Sequence, residues 1–205
     1  MKIFSIAYWP NIEYFAHIVR EKKIIIEKHE NFIKQTYRNR CQILAPTGKL
    51  NLIVPVVGGR SKNKKPIDQI KIDYSKTWLS THLNSIKTAY GSAPFFLFYF
   101  DQIKEMIRAK HETLFQLDMA SIELSLRLLG LEVEIIYTDS YEKHNLANKD
   151  DLRYTLTPKT LSKLYFPPYP QVFEDRFGFV PNLSILDLLF NLGNEALSYL
   201  KTIKI

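Results

Sequence analysis

The chain is poor in the residues that cross-link or anchor a protein. It has a single cysteine, Cys41, which excludes an internal disulfide framework and is typical of a reducing compartment. No stretch approaches the roughly 18 consecutive apolar residues of a membrane-spanning helix. The first residues, MKIFSIAYWPNIEYF, carry one lysine and a short apolar run followed by proline and glutamate, unlike a signal peptide. We therefore expect a cytoplasmic protein with no membrane span.

Glycine and histidine are also scarce, and the motifs that depend on them are missing. None of the seven glycines belongs to a GxxxxGK[ST] or GxGxxG phosphate-binding loop. The five histidines form no HExxH pair, one cysteine allows no paired-cysteine zinc signature, and GxSxG is absent. These absences exclude the standard nucleotide-binding, metalloprotease and hydrolase motifs. We expect no metal site, and the sequence identifies no cofactor.

Positive charge and aromatic side chains are what the chain has in excess. It contains 28 lysines and arginines against 21 aspartates and glutamates, a net charge of +7. This charge favours anionic partners, among which phosphates, sugar nucleotides, nucleic acid and acidic lipid headgroups all qualify. The densest basic run, GGRSKNKKP at 58–66, is more typical of a solvated loop than of a binding patch. The 12 tyrosines and 13 phenylalanines can build a core, line a pocket or stack on a flat ligand.

The first part of the chain has the pattern of a βαβ unit followed by a hairpin. A strand over KIFSIAY ends at a tryptophan–proline turn, a helix follows over IEYFAHIVRE, and KIIIEKH is a second strand. Two further strands, QTYRNRCQILA and KLNLIVPVV, are joined by a turn that contains proline and glycine. The sequence therefore predicts both parallel and antiparallel strand pairs.

Helical spacing dominates the remainder. It extends over TWLSTHLNSIKTAY, ETLFQLDMASIELSLRLLG and ILDLLFNLGNEALSYL, and EVEIIYT is a late strand. Residues 139–163 are polar and weakly periodic, which predicts a surface excursion. Because neither a repeat nor a linker is visible, we predict a single domain over residues 1–205. Its expected class is α/β, with a mixed sheet that begins with a βαβ-like unit and a hairpin and is flanked by helices.

Five blocks of the sequence carry a resemblance to a known family. They are YWPNIEYFAHI, HENFIKQTYRNRCQI, LIVPV, WLSTHLNSIKTAYGSAPFF and NLSILDLLFNLG. In this order they resemble the WbqC-like protein family of bacterial polysaccharide gene clusters. The chain departs from the family pattern at Ala7, where many members have glutamine. It also lacks, within residues 139–163, the glycine-containing segment that many members have. If that segment shapes the acceptor pocket, this chain takes a different substrate or has lost the activity.

The resemblance implies a role in O-antigen and related glycan synthesis, and glycyl transfer onto a sugar has been suggested for the family. The first hypothesis is a cytoplasmic transferase that moves a glycyl or small acyl group onto a sugar precursor. Its anionic partner would be a sugar nucleotide or an activated acyl donor. The second hypothesis is a non-catalytic protein that binds or delivers such a ligand. The third, prompted by the positive charge, is a nucleic-acid binding protein with tRNA as its partner.

Arg38, Asn39 and Arg40 are the candidate ligand clamp. On the predicted strand, Arg38 and Arg40 share one face and Asn39 lies on the other. A guanidinium group is a planar fork that binds phosphate or carboxylate bidentately, so the two arginines predict an anion site. The alternative is a pair of arginines on the solvent face of the strand.

Two histidines are the candidate general bases. His82 lies four residues after Trp78, which places both on one helix face and makes Trp78 a candidate substrate contact. His29 lies at the end of the second strand, and ligands gather at strand ends in α/β sheets. The alternative for His82 is an amphipathic face on which Trp78 packs and the imidazole bonds a backbone carbonyl.

Asp187 is the candidate catalytic carboxylate. Its position three residues after Ser184 also suits a capping box, in which both residues serve the start of a helix. The family blocks add Tyr90, Asn182 and Ser184 to the candidate substrate-binding residues.

Tyr8, Trp9 and Tyr37 are a candidate aromatic wall for a sugar ring or a base. The alternative is that they belong to the aromatic core. Cys41, next to Arg40, would be a nucleophile only if its thiol pKa were lowered.

Overall fold

The computed structural model describes residues 1–58, 65–143 and 148–205. These residues form a three-stranded parallel sheet and a two-stranded antiparallel hairpin, with helices packed around both. The predicted α/β class is therefore confirmed. Residues 59–64, most of the basic run, lie outside the described residues. None of the helices in the described ranges is long and apolar enough to cross a membrane.

The parallel sheet contains the predicted βαβ unit. Strand β1 (Ile3–Ser5) leads through helix α1 (Ile12–Ile18) to strand β2 (Lys23–Glu27), and the two strands are parallel neighbours. The late strand β5 (Glu134–Tyr137) pairs with the other side of β2, again in parallel, so the order is β1-β2-β5. The opening of the chain therefore supplies two of the three strands of this sheet.

The two faces of the parallel sheet differ in how well they are covered. Phe4, Ile24 and Ile26 are fully buried on one face, where the ring of Phe4 packs 4.7 Å from that of Tyr14 on α1. The opposite face carries Ile3, Ile25 and Ile136, which are only half-buried. The hydrophobic core thus lies on the helix-covered face of the sheet.

The predicted hairpin consists of β3 (Arg40–Ala45) and β4 (Gly48–Ile53), with Arg40 opposite Ile53. However, the strand does not extend back to Gln35 as predicted, because residues Tyr37–Asn39 form a single 3-10 turn. The prediction that Arg38 and Arg40 share one strand face is therefore wrong. Two features explain the turn: Gln35 has a positive φ of 59°, and Arg38 folds inward to a buried carboxylate.

Helical structure forms in each predicted region, but the helix predicted over ILDLLFNLGNEALSYL divides at Gly193, where a 3-10 turn over Gly193–Glu195 separates two helices. Thr113 caps the longest helix by a capping box with Gln116, and Gly130 ends it in the left-handed conformation. The helices that follow α1 are α2 (Trp78–Tyr90), α3 (Phe96–Arg108), α4 (Leu114–Leu129), α5 (Glu174–Phe177), α6 (Ile185–Leu192) and α7 (Ala196–Thr202).

Residues 144–147 of the polar segment 139–163 lie outside the described residues, and the remainder is only partly the predicted surface excursion. Residues 139–143 are exposed, but Asp151, Leu152 and Arg153 are buried beside β1, where the backbone N–H of Leu152 donates to the oxygen of Ile3 at 2.8 Å. The sequence pattern missed this because two of the three buried residues are charged. They are held inside by ion pairs that only the folded chain brings together.

Candidate functional site

Helix α2 places Trp78 and His82 one turn apart on the same face, as their spacing predicts. The two rings lie 5.0 Å apart in an edge-to-face arrangement, and the ring of Tyr74 lies 5.8 Å from Trp78 on the other side. Both Trp78 and His82 are buried. The pair therefore forms one rigid aromatic unit on α2.

The two nitrogens of His82 have fixed roles. Nε2 lies 3.1 Å from the backbone oxygen of Ile53, and Nδ1 lies 3.2 Å from the hydroxyl of Tyr8. Because a carbonyl oxygen only accepts, Nε2 carries the proton and Nδ1 accepts the Tyr8 O–H. Burial lowers the pKa of His82 to about 4, so the imidazole is neutral at pH 7. One tautomer of a neutral histidine thus joins α2, β4 and the segment after β1.

A groove of about 370 Å³ lies between α2 and β4, and its volume is within the range of small-molecule sites. We call it the His82 groove. Trp78 and His82 form part of its wall, Lys76 is exposed at its lining, and hydroxyl and amide groups supply hydrogen-bonding partners. It is lined by Leu50, Asn51, Leu52, Ile53, Pro55, Lys76, Thr77, Trp78, Thr81, His82 and Ser85.

Arg38, half of the predicted anion clamp, is buried against an internal carboxylate. Its Nε donates to Oε1 of Glu30 at 2.8 Å, its Nη2 donates to the other oxygen of the same carboxylate, and both side chains are almost fully buried. Nη2 also lies 3.4 Å from the backbone oxygen of Arg153. The bidentate geometry expected for a ligand anion is therefore occupied by Glu30.

Asn39 and Arg40, at the start of β3, differ in their contacts. The Asn39 side chain donates to the backbone oxygen of Val54 at 3.2 Å and so fixes the end of the hairpin. Arg40 is half-buried, and its Nε has no hydrogen-bond partner among the described residues. Arg38 is thus held in an internal ion pair, and Arg40 is not among the residues that line the His82 groove.

The predicted aromatic wall lies in the core. Tyr8 and Trp9 are fully buried, and Tyr8 N–H donates to the backbone oxygen of Tyr37 at 2.9 Å. Trp9 has a positive φ of 41°, and the Ser121 hydroxyl, accepting its N–H, and the Ser184 hydroxyl, donating to its C=O, hold that conformation. Tyr8 therefore approaches the groove only through its bond to His82.

Asp187 and its neighbours form a separate buried cluster. The Asp187 carboxylate accepts from the Tyr169 hydroxyl at 2.6 Å and from the Gln171 amide at 2.8 Å. Ser184 caps α6 by accepting from the N–H of Leu186, while the Asp187 carboxylate faces away from the cap. Burial raises the pKa of Asp187 above its ordinary value, and the hydrogen bonds from Tyr169 and Gln171 offset only part of that rise. The side chain links α6 to the loop before α5 instead of completing a capping box.

Tyr90 and Asn182 lie beside this cluster. Tyr90 is buried at the end of α2 and stacks 4.9 Å from the ring of Phe190. Asn182 has a positive φ of 57° and forms two bonds to α1, accepting from Glu13 N–H and donating to the Glu13 carboxylate, both at 3.0 Å. These contacts hold the C-terminal helices to the βαβ unit.

His29 and Cys41 take no part in the groove. His29 follows β2, and its backbone N–H donates to the Glu27 carboxylate at 2.8 Å. Cys41 is buried on the core face of β3, and burial raises the pKa of its thiol. This shift is opposite to the lowering that the nucleophile interpretation requires.

Sequence reasoning missed a buried charge network at the carboxyl end of the parallel sheet. Arg153 donates to the Glu27 carboxylate at 2.7 Å and to both oxygens of Asp151, at 2.9 and 2.7 Å. Asp118 on α4 is also fully buried, and neither of its carboxyl oxygens has a partner among the described residues. Glu30 follows the candidate His29 in the sequence, but no local sequence pattern predicts that Glu27, Asp118, Asp151 and Arg153 are buried.

Comparison with known proteins gives one family and one relative. The family model described as the WbqC-like protein family matches residues 7–166 and 159–199. The uncharacterized protein Rv1507c of Mycobacterium tuberculosis is 27% identical over 223 residues, which cover 95% of this chain and 94% of the relative. No solved structure matches the chain.

Proposed function

The chain belongs to the WbqC-like protein family, and on this premise we propose that it binds a sugar precursor of cell-surface glycan synthesis in the His82 groove and transfers a glycyl or small acyl group onto it. The observation that carries the proposal is the groove itself, where Trp78 and His82 line one cavity of about 370 Å³. The connection to glycan synthesis comes from the family resemblance.

The lining of the groove suits a sugar. Trp78 offers a large apolar ring, while Asn51, Thr81 and Ser85 offer groups that donate and accept hydrogen bonds. Lys76 is exposed beside them and supplies a positive charge for the phosphate of a sugar nucleotide or an activated acyl donor. An apolar wall with a few convergent polar groups is the usual composition of a small-molecule site.

Proton transfer by His82 requires one of its two bonds to open. Nδ1 is the basic nitrogen, and it faces the hydroxyl of Tyr8, while Nε2–H is held by the oxygen of Ile53. The bond that must open is the one to Tyr8: a ligand hydroxyl or amine in its place would meet the unprotonated Nδ1, which can accept the proton, whereas displacing Ile53 would expose only Nε2–H. Transfer onto a hydroxyl or amine therefore involves a rearrangement at His82.

A second candidate function is delivery of the precursor without chemistry. Both nitrogens of His82 already form hydrogen bonds within the protein, which favours delivery. The other titratable side chain in the groove lining is Lys76, which suits binding of an anion. The delivery hypothesis predicts ligand binding that is as tight as for the transferase but no product. Residues 59–64, most of the basic run on which a tRNA-binding function would depend, lie outside the described residues.

The experiment that separates the two combines binding and turnover in one set of variants. Wild type would be incubated with UDP- and dTDP-sugars and with glycine plus ATP, acetyl-CoA or glycyl-tRNA, and products followed by mass spectrometry. His82→Gln should abolish product while calorimetry shows retained binding of the sugar nucleotide. Lys76→Gln should weaken binding several-fold, whereas Lys87→Gln, exposed on α2 outside the groove, should not. Binding without product in wild type would establish delivery, and no binding would refute both functions.

A further inference from the structure

A second groove lies on the incompletely covered face of the parallel sheet. It shares no lining residue with the His82 groove. Its volume is about 350 Å³, and we call it the sheet-face groove. Strands β1, β2 and β5 form its floor, and the start of the polar segment after β5 forms its rim. It is lined by Ile3, Ile25, Glu27, Ile136, Tyr137, Thr138, Asp139, Ser140, Glu142 and Arg153.

The floor of this groove is apolar and incompletely covered. Ile3, Ile25 and Ile136 stand side by side in the register of the three strands, and each is only half-buried. Parallel sheets are normally covered on both faces, because their strands are apolar on both faces. The three isoleucines therefore offer a surface for the apolar body of a ligand.

The carboxyl ends of the strands add a fixed polar wall. Glu27 is fully buried, and its carboxylate accepts from the Thr138 hydroxyl at 2.7 Å and from Arg153 at 2.7 Å. Arg153 also forms a bidentate pair with Asp151 and donates to the backbone oxygen of Glu142 at 2.9 Å. The wall is thus rigid, and the crevice outside the carboxyl ends of parallel strands is where ligands bind in open α/β sheets.

The charge of the sheet-face groove is opposite to that of the chain. The whole chain carries +7, but the groove lining has three carboxylates, Glu27, Asp139 and Glu142, and one guanidinium, Arg153. Because Arg153 is paired with Asp151 and Glu27, the charged lining side chains outside this network are the exposed carboxylates Asp139 and Glu142. An anion would be repelled there, and a cation would be attracted.

We propose that the sheet-face groove binds a small primary amine, with its apolar body on Ile3, Ile25 and Ile136 and its ammonium group at Asp139 and Glu142. The hydroxyl of Ser140 lies on the same rim and can accept a further hydrogen bond from the ammonium group. This assignment does not depend on the function proposed for the His82 groove.

The test uses three probes of equal length and different charge. n-Hexylamine, hexan-1-ol and hexanoate would be titrated into the isotopically labelled full chain, and amide shifts would be followed by NMR. We expect saturable shifts at Ile25, Glu27 and Thr138 with hexylamine, about fivefold weaker binding of hexanol, and no saturation with hexanoate. Added salt should weaken the binding of hexylamine alone.

Variants at the exposed rim identify the ammonium site without disturbing the core. Asp139→Asn and Glu142→Gln should each weaken hexylamine binding several-fold and leave hexanol binding unchanged, while Asp175→Asn, exposed on α5, should change neither. Equal affinity for hexylamine and hexanol would overturn the proposal. So would hexylamine shifts that avoid the sheet face, or rim variants that bind it as wild type does.

Discussion

The Nε2 atom of His82 lies 3.1 Å from the backbone oxygen of Ile53, so a single imidazole ties helix α2 to strand β4 across the floor of the groove between them. The hydroxyl of Tyr8 completes the arrangement at Nδ1. This places His82 in a neutral, oriented state, where burial lowers its pKa to about 4. The stability of the fold and the transfer proposed for the groove would therefore both depend on this one residue.

The first prediction concerns acid stability. The folded-state pKa of His82 is about 4 against 6.5 for the free side chain, so the unfolded chain binds more protons as the pH falls below 6.5. This histidine should cost the fold roughly 2 kcal/mol between pH 7 and pH 4.5. Urea unfolding across that range should show a shallower loss for His82→Gln than for wild type. His17, whose pKa burial also lowers to about 4, should contribute a similar share, testable with His17→Gln.

Asp118 should act on stability in the opposite pH direction. Burial raises its pKa, and its carboxyl oxygens have no hydrogen-bond partner among the described residues, so the folded chain keeps a proton that the unfolded chain releases above the ordinary value of 3.8. The stability that this proton confers is lost as the pH rises toward the folded-state pKa. Asp118→Asn should therefore be more stable than wild type at pH 8, and the difference should shrink toward pH 4. The exposed Asp101→Asn serves as the control; an equal effect there would contradict the account.

The bidentate pair between Arg38 and Glu30 should be essential to the fold. Arg38→Met leaves Glu30 buried and unpaired, which costs about 3–5 kcal/mol. Arg40→Met should cost about 1 kcal/mol or less, because Arg40 is half-buried and its Nε has no partner in the part of the chain that the structure describes. Both would be measured by urea unfolding. If Arg38→Met does not fold, the double variant with Glu30→Gln should recover part of the loss, and no recovery would count against the pair.

Gly193 should resist substitution for two reasons at once. Its φ is +53°, and a Cβ atom at this position would overlap the ring of Phe95. Gly193→Ala should therefore lower the free energy of unfolding by more than Gly130→Ala, which has a similar φ of +64° but no neighbour near its Cβ. The control measures the cost of the left-handed conformation alone, about 1 kcal/mol. Gly193 adds the overlap with Phe95 and a ψ of −123°, outside the left-handed region in which Gly130 lies with a ψ of 31°. Equal losses in thermal or urea unfolding would contradict these added costs.

Local pattern was sufficient for most of the fold. The Ile-rich strand β2, the turn at Pro10 and the helical spacing of α2 and α4 depend on neighbours in the sequence, so periodicity predicts them. The same holds for Trp78 and His82, whose shared helix face needs only their spacing of four.

The placement of the charged residues depended on distant partners. Arg38 turns inward because Glu30 is buried, and Arg153 is drawn to Glu27 across 126 residues of sequence. Asp187 likewise bonds the distant Tyr169 and Gln171 instead of completing a capping box. No local pattern in the sequence indicates these pairs. The predicted anion clamp therefore did not form: Arg38 is in a buried ion pair with Glu30, and Arg40 is half-buried elsewhere on the hairpin.

The most direct test of the account is whether the His82 groove is where a sugar nucleotide binds. Ser85 lines the groove, whereas Thr88 is exposed on the same helix and does not. UDP- and dTDP-sugars would be titrated calorimetrically into wild type, Ser85→Leu and Thr88→Leu. The account predicts saturable binding to wild type and Thr88→Leu that is lost in Ser85→Leu, where the larger side chain fills the groove. Binding that is equally tight in all three proteins would contradict it.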